Sequence, residues 1–232
     1  MKFLSVVQHT QSEWLGHIED HLEGRGIRFG YHRPFTTGGG LPNSTTVGDG
    51  LILVGGGCWG TATQERLLPS LDEEVRLTRA CLMTGKPVLA LGLGSQILAI
   101  AAEGGSVVKP LTLAVGTARR IKDGALAGRL PAEFPIITYG RDYAAPPDYA
   151  EILAIDGDGL PAIFQVGPNA FGFAAHPGLR PAMIEDLIME FDEVPPNTSD
   201  ILPTLASFGP KIEDALVPIM TGVIELTGWM DT

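Results

Sequence analysis

Two uninterrupted apolar runs, each followed by glycines, most constrain the fold of this chain. They read "GLILVGGG" at residues 50–57 and "PVLALG" at residues 87–92. Continuous apolar runs of this length are typical of strands that helices bury on both faces of a parallel sheet. A helical pattern, "LDEEVRLTRACLMTGK", lies between them, and a second one at residues 95–102 follows. This alternation predicts an α/β fold with helices on both faces of the sheet.

Shorter patterns extend the prediction along the chain. Ser12 is predicted to cap a helix with an apolar stripe from Trp14 to Leu22, and "LRPAMIEDLIMEF" is predicted to form another. Further strands are expected at residues 2–8, 27–33, 152–156, 162–166 and 171–175, the last three as a meander, and shorter strands with turns are expected within residues 106–124 and 134–144. The whole is expected to be an open, mostly parallel sheet with an antiparallel extension.

One domain is predicted for residues 1–194, with a helical extension at residues 195–232 packed on it. The 232 residues supply enough apolar material for one sizeable core. A break at "VPPNTS" separates the two parts, and one more helical pattern follows it.

Charge and cysteine content narrow the classes of partner and cofactor. The net charge is −11 without a basic stripe, so nucleic acid and anionic membranes are not expected partners. The two cysteines, Cys58 and Cys81, form neither a disulfide framework nor a zinc pattern. No apolar run is long enough for a membrane span, and a cytoplasmic protein is expected.

The segment "KPVLALGLGSQILAIAAEGG" places a sharp turn at Gly92, between a buried strand and a helix. In many α/β enzymes such a turn carries a strained nucleophile, flanked by small residues like Ala90 and Gly94. Gly92 adopts such a conformation without steric cost but has no side chain to attack with. Two other interpretations are a tight packing turn and a dinucleotide loop, although Ile97 stands where that loop has its third glycine.

Three further groups are candidates for chemistry. The glycines of "LVGGGCWG" could donate backbone N–H groups to an oxyanion, and Cys58 beside them could be a nucleophile or a small buried apolar residue. His176, after an apolar strand, could be a general base or a structural histidine. His17 and His21 share one helix face without an obvious third ligand, so no metal site is predicted.

Taken in order, these motifs resemble the class I glutamine amidotransferase family, in particular its small stand-alone members. The resemblance covers about residues 1–180 and rests on "VVQH", "DGLILVGGG", "GKPVLALGLGSQILAIAAEGGSV" and "FGFAAHPG". It implies a flavodoxin-like fold, no cofactor, and attack of a thiolate on a γ-glutamyl amide.

The resemblance also implies that the catalytic triad is incomplete. The family's cysteine falls on Gly92 and its glutamate on Gly178, while His176 is retained. The segment "TYGRD" lacks the histidine of the corresponding family segment. Gly92 is interpreted as an engineered inactivation, as natural divergence, or as a nucleophile replaced by another residue such as Cys58.

The resemblance assigns the remaining site residues. The N–H groups of Gly56 and Leu93 would form the oxyanion hole. Gln96, Gly57 and Tyr139 would bind substrate, and Glu185 or Asp186 could supply the third triad carboxylate.

Three functions follow. The first is a glutamine or γ-glutamyl amide hydrolase that lacks its nucleophile. The second is a non-catalytic binding or regulatory module for a glutamyl ligand or a partner synthetase. The third and weakest is nucleotide binding at residues 92–94. A homodimer, or an ammonia-using or γ-glutamylating synthetase, is the expected partner.

Overall fold

The computed structural model describes residues 1–230 and contains eleven strands, five α-helices and one short 3₁₀ turn at Gln64–Arg66. The strands are β1 (Phe3–Val7), β2 (Arg28–His32), β3 (Gly50–Leu53), β4 (Val88–Leu91), β5 (Gly105–Val107), β6 (Thr112–Arg120), β7 (Glu133–Gly140), β8 (Tyr143–Ala145), β9 (Glu151–Ile155), β10 (Pro161–Val166) and β11 (Ala170–Phe173). The helices are α1 (His17–Glu23), α2 (Leu71–Met83), α3 (Leu93–Ala101), α4 (Pro181–Glu190) and α5 (Thr198–Thr227).

Nine strands form one open sheet in the order β2-β1-β3-β4-β11-β10-β9-β6-β7, and β5 pairs with β8 separately. The strands from β2 to β11 run parallel, and the remaining four are antiparallel. The order of the parallel half is that of flavodoxin-like sheets, in which ligands bind beyond the carboxyl ends of the strands. The predicted fold class, an open sheet with an antiparallel extension, is confirmed.

Apolar side chains fill both faces of the sheet. Leu51, Leu53 and Ala90 pack beneath α2 and α3, while Ile52 and Leu89 belong to the core on the opposite face, under α1 and α5. The strands β3 and β4 are buried at every position, which is why their sequences do not alternate.

Helix α1 begins later than Ser12, so the predicted cap is wrong. The Ser12 amide instead donates to the Glu190 carboxylate, and the helix is preceded by Gly16 at φ 58°. The first helical amide, that of His17, donates to the carbonyl of Gly178 at 2.8 Å. A tertiary contact therefore satisfies the donor that a side-chain cap would otherwise take.

Helix α5 forms most of the predicted C-terminal extension and continues through Pro203, Pro210 and Pro218. Its buried face includes Leu205, Ile212 and Leu216 at helical spacing, and it packs on β6, β7, α1 and α4. The division between residues 194 and 195 stays a prediction, and residues 231 and 232 of the extension lie outside the described residues.

Candidate active site

The turn at Gly92 has the backbone of a nucleophile elbow. Gly92 lies between β4 and α3 with φ 55° and ψ −118°, and its amide donates to the Phe173 carbonyl of β11 at 2.8 Å. A β-carbon on Gly94 would lie 2.5 Å from the Leu53 carbonyl oxygen, so the close approach of α3 to β3 requires glycine there. The strained turn and the small neighbour expected from the sequence are both present.

The space beside Gly92 is bordered by a carboxyl group. A β-carbon on Gly92 would lie 3.3 Å from Gly55 Cα and 3.9 Å from Glu13 Oε1. Apart from the chain neighbours of Gly92, no other atom of residues 1–230 lies within 4 Å of that position. The place that a nucleophile's side chain would enter is thus open and faces Glu13.

Glu13 is held in this place by the glycine loop after β3. Its Oε2 accepts a hydrogen bond from the Gly57 amide at 3.1 Å, and a β-carbon on Gly55 would overlap its carboxyl group. Burial raises the pKa of Glu13 to about 7, although the Gly57 N–H and nearby His9 act in the opposite direction. The carboxyl group therefore titrates near neutral pH.

His176 does not have a ring nitrogen available for Gly92. Its Nε2 lies 2.6 Å from the Trp14 carbonyl oxygen and therefore carries the proton, while its Nδ1 accepts from the Gly178 amide at 3.2 Å. The ring lines a small apolar cavity of about 20 Å³ between β7 and α5. Burial lowers its pKa to about 4, so it is neutral at pH 7.

Gly178, the position that the motif resemblance assigns to the triad glutamate, packs directly against the start of α1. A β-carbon there would lie 2.7 Å from Ile18 Cγ1, 2.9 Å from the Ile18 nitrogen and 3.0 Å from the Leu15 carbonyl oxygen. Similarly, a β-carbon on Gly16 would overlap the Gly178 carbonyl. The position cannot hold a carboxylate in this packing.

Glu185 and Asp186 do not replace that glutamate. Both are exposed on α4, and the hydrogen bonds of the buried His176 ring go to Trp14 and Gly178 instead. The structure therefore contradicts the prediction that either carboxylate completes a triad with His176 in its present orientation.

Gln96 is buried with both ends of its amide bound within the protein. Its Nε2 donates to the Arg141 carbonyl at 2.9 Å, and its Oε1 accepts from Thr61 Oγ1 at 2.6 Å. Asp142, at the end of "TYGRD", accepts hydrogen bonds from the backbone amides of residues 61–63 and 109. These contacts fix the loop beside the cavity, and a role of Gln96 in substrate binding stays a prediction.

A cavity of about 300 Å³ ends at Gly92 and Leu93. Its wall includes Tyr139, whose hydroxyl is buried without a hydrogen-bond partner among residues 1–230. Lys109 also lines it, with Nζ 5.5 Å from the centre of the Tyr143 ring. The Lys109 cation therefore borders a space of the size that a small amide requires, while the Tyr139 hydroxyl is buried away from it.

The glycine loop is shaped by packing. A β-carbon on Gly56 would overlap the Leu93 side chain, and one on Gly57, at φ 55°, would lie 2.5 Å from Phe191 Cε2. The Gly57 amide is already bound to Glu13. The oxyanion role of the Gly56 and Leu93 amides stays a prediction.

Cys58 lies outside the elbow. It is 1% exposed in the apolar cluster with Tyr139 and Leu187, and burial raises the pKa of its thiol. This environment favours the inert, protonated thiol. Cys58 is therefore a poor candidate for a nucleophile at this site.

No group of histidine, cysteine and carboxylate side chains within residues 1–230 is suited to hold a metal ion. His17 instead contacts Asp20 at 3.6 Å and Glu213 at 3.4 Å. His9, which is buried like His176, pairs with Glu74 at 2.7 Å. Burial lowers the pKa of His9, but the Glu74 carboxylate has the larger combined effect and the pKa is raised overall. These histidines thus have structural partners.

Glu13 is the site residue that the sequence interpretation missed. The helix that the sequence predicts from Ser12 onward includes Glu13, yet Glu13 lies in the loop that follows β1. The carboxyl ends of parallel strands are where flavodoxin-like sheets bind ligands, so an acidic residue there was a usable signal.

Comparison with known proteins supports the resemblance. No protein-family model matches the chain. The imidazole glycerol phosphate synthase subunit HisH of Symbiobacterium thermophilum is 36% identical over 83 residues, which are 36% of this chain and 38% of that protein. The chain thus matches well under half the length of this curated relative.

Solved structures match over almost the whole chain. A glutamine amidotransferase from Methylobacillus flagellatus superposes with a TM-score of 0.82 at 20% identity, covering 97% of this chain and 95% of that one. A glutamine amidotransferase from Thermotoga maritima gives 0.77 at 19% identity, covering 97% and 98%.

The chain therefore has the fold of the glutamine amidotransferases. The HisH match supports the class I family that the motifs indicated. That Gly92 stands in place of the family's cysteine stays a prediction of the motif alignment.

No helix within residues 1–230 combines the length and the apolar character that crossing a membrane requires.

Proposed function

We propose that this chain binds glutamine, or another amide of the glutamyl γ-carboxyl group, at the Gly92 elbow without forming a thioester. The observation that carries the proposal is the cavity of about 300 Å³ that ends at this elbow. The amidotransferase fold supports an amide as the ligand, because the carboxyl ends of the neighbouring parallel strands β4 and β11, at Gly92 and Ala174, line this cavity.

A cation in the wall suits one end of such a ligand. Lys109 is partly buried and has no carboxylate within 4.0 Å among residues 1–230, so it could pair with the α-carboxylate.

The absence of a thioester follows from the groups around Gly92. Glycine has no nucleophile, His176 is engaged with backbone groups, and Cys58 is buried elsewhere. The tight packing of Gly178 supports natural divergence over an engineered change at Gly92 alone, because it removes a second triad residue by a backbone contact.

Calorimetry with L-glutamine tests the proposal. We expect binding at millimolar or lower concentration, and loss of binding in Gly116→Leu, which places a side chain in the cavity. A β-carbon at Gly116 meets only Ile136 Cγ1 at 4.0 Å, so the backbone accepts it.

The matched control is Gly105→Leu, in β5. A β-carbon there meets no atom within 4 Å, and Gly105 does not line the cavity. This variant should bind glutamine like the wild type. If the wild type binds neither L-glutamine nor γ-glutamyl-p-nitroanilide, the proposed function is wrong.

A synthase partner is the natural extension of this proposal. The name of the HisH relative describes a synthase subunit, and other amidotransferase-fold neighbours include a putative GMP synthase subunit. Size-exclusion chromatography of the chain from its native cells would show a complex larger than a 24.6 kDa monomer or its dimer if a synthase is bound.

A further inference from the structure

We propose that the Glu13 carboxylate is the general base of this site, taking a proton from a water molecule beside Gly92 so that the water attacks the bound amide directly. This inference rests on the proposed function, because it needs an amide held at the elbow. It replaces the two-step thiol route by a single addition of water.

The geometry places one carboxyl oxygen toward the reacting position and fixes the other. Oε2 accepts from the Gly57 amide, so the carboxyl group cannot rotate freely, and Oε1 faces Gly92. A β-carbon on Gly92 would lie 3.9 Å from Oε1. A water oxygen about 1 Å closer would be within hydrogen-bond distance of Oε1.

The glycine at position 92 makes this arrangement possible. A side chain at this position would occupy the space between the elbow and Oε1, whereas glycine leaves that space free. Gly92 lines the cavity, and the buried Glu13 itself does not. The missing nucleophile thus creates a place for water next to the carboxyl group.

The other carboxylates and the histidine near the cavity are less suited to the role. Asp156 and Asp158 line the cavity at the turn between β9 and β10 and not at the elbow, and Asp156 Oδ1 accepts from the amides of Asp158 and Leu160. His176 has both nitrogens bound to backbone groups and lines a different cavity. Both carboxylate oxygens of Asp142 already accept hydrogen bonds, from the backbone amides of residues 61–63 and 109 and from the Thr63 hydroxyl. Glu13 combines a fixed orientation with an oxygen that faces Gly92.

The reaction balances without a cofactor. The Glu13 carboxylate accepts a proton from water while the water oxygen bonds to the amide carbon, and the carbonyl electrons move to oxygen. When the tetrahedral intermediate collapses, the carbon–nitrogen bond breaks and Glu13 returns the proton to the leaving nitrogen. The products are the γ-carboxylic acid and an amine or ammonia.

The ionisation of Glu13 supports this role. Burial raises its pKa to about 7, close to the pH at which a general base is most effective. The charged or titratable groups around it are His9, which favours the ionised form, and Glu190, which opposes it, with the Tyr139 hydroxyl also near. Activity should therefore rise with pH and level off above about 7.

The test is glutamate release from L-glutamine and from γ-glutamyl-p-nitroanilide. We expect slow hydrolysis by the wild type and a loss of about 100-fold or more in Glu13→Gln, the low end of what a general base contributes. Calorimetry should show unchanged glutamine binding in this variant. Glu133→Gln, exposed at the start of β7, is the control and should match the wild type.

Glu13→Asp keeps a titratable group but withdraws it from Gly92. We expect a lower rate with a retained pH dependence, and this variant decides the matter if Glu13→Gln does not fold. An unchanged rate in either variant, or a wild type that binds glutamine without hydrolysing it, overturns the inference alone. A wild type that does not bind glutamine overturns the proposed function as well.

Discussion

Gly178 packs against the backbone at the start of α1 without room for a side chain. The residue lies against Leu15 and Ile18, and its carbonyl accepts the first amide of α1. Any side chain at this position has to displace α1, whatever chemistry it brings. A carboxylate at position 178, where the motif resemblance would place one, is thus excluded by the packing of α1.

We predict that Gly178→Ala lowers the free energy of unfolding by about 1–3 kcal/mol, the usual cost of overpacking. Gly105→Ala, with no atom within 4 Å of its β-carbon, is the matched control and should change stability by less than about 0.5 kcal/mol. Urea denaturation measures both. Equal effects in the two variants would contradict the packing described for Gly178.

We predict that Gly92→Cys does not by itself produce a reactive thiol. Its Cβ would lie 3.9 Å from Glu13 Oε1, and a neighbouring carboxylate raises the pKa of a thiol. The rate of iodoacetamide labelling at pH 7, above the background of the buried wild-type cysteines, should be low and should increase when Glu13→Gln is added. Fast labelling at pH 6 in the single variant would mean that His176 turns toward the thiol.

The sequence predicts where the turn of the candidate site lies, but it does not predict which side chains contact one another there. The elbow at Gly92 and the need for a small Gly94 could be predicted, because strand, turn and helix patterns are local. The contacts of His176 and Glu13 could not, since both depend on the segment of residues 13–18 folding over the sheet.

Among the elements, α5 departs furthest from what local propensity dictates. A proline inside a helix lacks the amide donor and crowds the preceding turn. The helix nevertheless continues across Pro203 and Pro210, both exposed, because its opposite face is buried. Packing of the apolar face therefore outweighs the local cost of these prolines.

We predict that Pro210→Ala raises the free energy of unfolding by about 1–2 kcal/mol. Alanine restores the amide donor and favours a helix by about 3 kcal/mol over proline, while the unfolded chain regains entropy worth up to about 1 kcal/mol. Urea denaturation provides the measurement. Pro168→Ala, in the exposed turn before β11, is the control and should not stabilise. A destabilised Pro210→Ala protein would show that a bend at this position is required.

At helix α1, by contrast, the local sequence predicts a cap that the structure does not contain. Ser12 has the residue type of a cap, but Glu190 of α4 binds its amide at 2.9 Å and that of Gln11 at 2.9 Å. The segment before α1 is thereby tied to α4, and the helix begins only after Gly16. Such long-range partners have no local signature in the sequence.

The sheet as a whole was predictable because its central strands are buried on both faces. Continuous apolar runs at β3 and β4 identify the middle of a parallel sheet irrespective of the loops around it. The order of the strands and the pairing of β6 with both β7 and β9 depend on long-range contacts instead.

The pH dependence of stability is a property of the whole molecule to which Glu13 and His176 contribute with opposite signs. Glu13 has a pKa of about 7 in the folded chain against 4.5 ordinarily, so unfolding releases a proton and stability falls as pH rises through this window. His176 has a pKa of about 4 against 6.5, so unfolding takes up a proton and stability rises with pH there.

We therefore predict that Glu13→Gln becomes more stable relative to the wild type as pH rises from 4.5 to 7.5. The difference in the free energy of unfolding should change by about 3 kcal/mol, from 1.36 kcal/mol per pKa unit. Urea denaturation across this range measures it, with Glu133→Gln as a control whose difference stays flat. A flat difference for Glu13→Gln would contradict the raised pKa.

The contact between Gly16 and Gly178 has a consequence for how this chain could change over evolutionary time. Rebuilding a cysteine, histidine and glutamate triad needs a thiol at position 92, a carboxylate at position 178, and withdrawal of the backbone at residues 15–18. The second change is destabilising before the third, and the first gives no efficient thiol chemistry without the others. Stepwise installation of the triad that the motif resemblance implies would therefore pass through variants that are less stable and no more active.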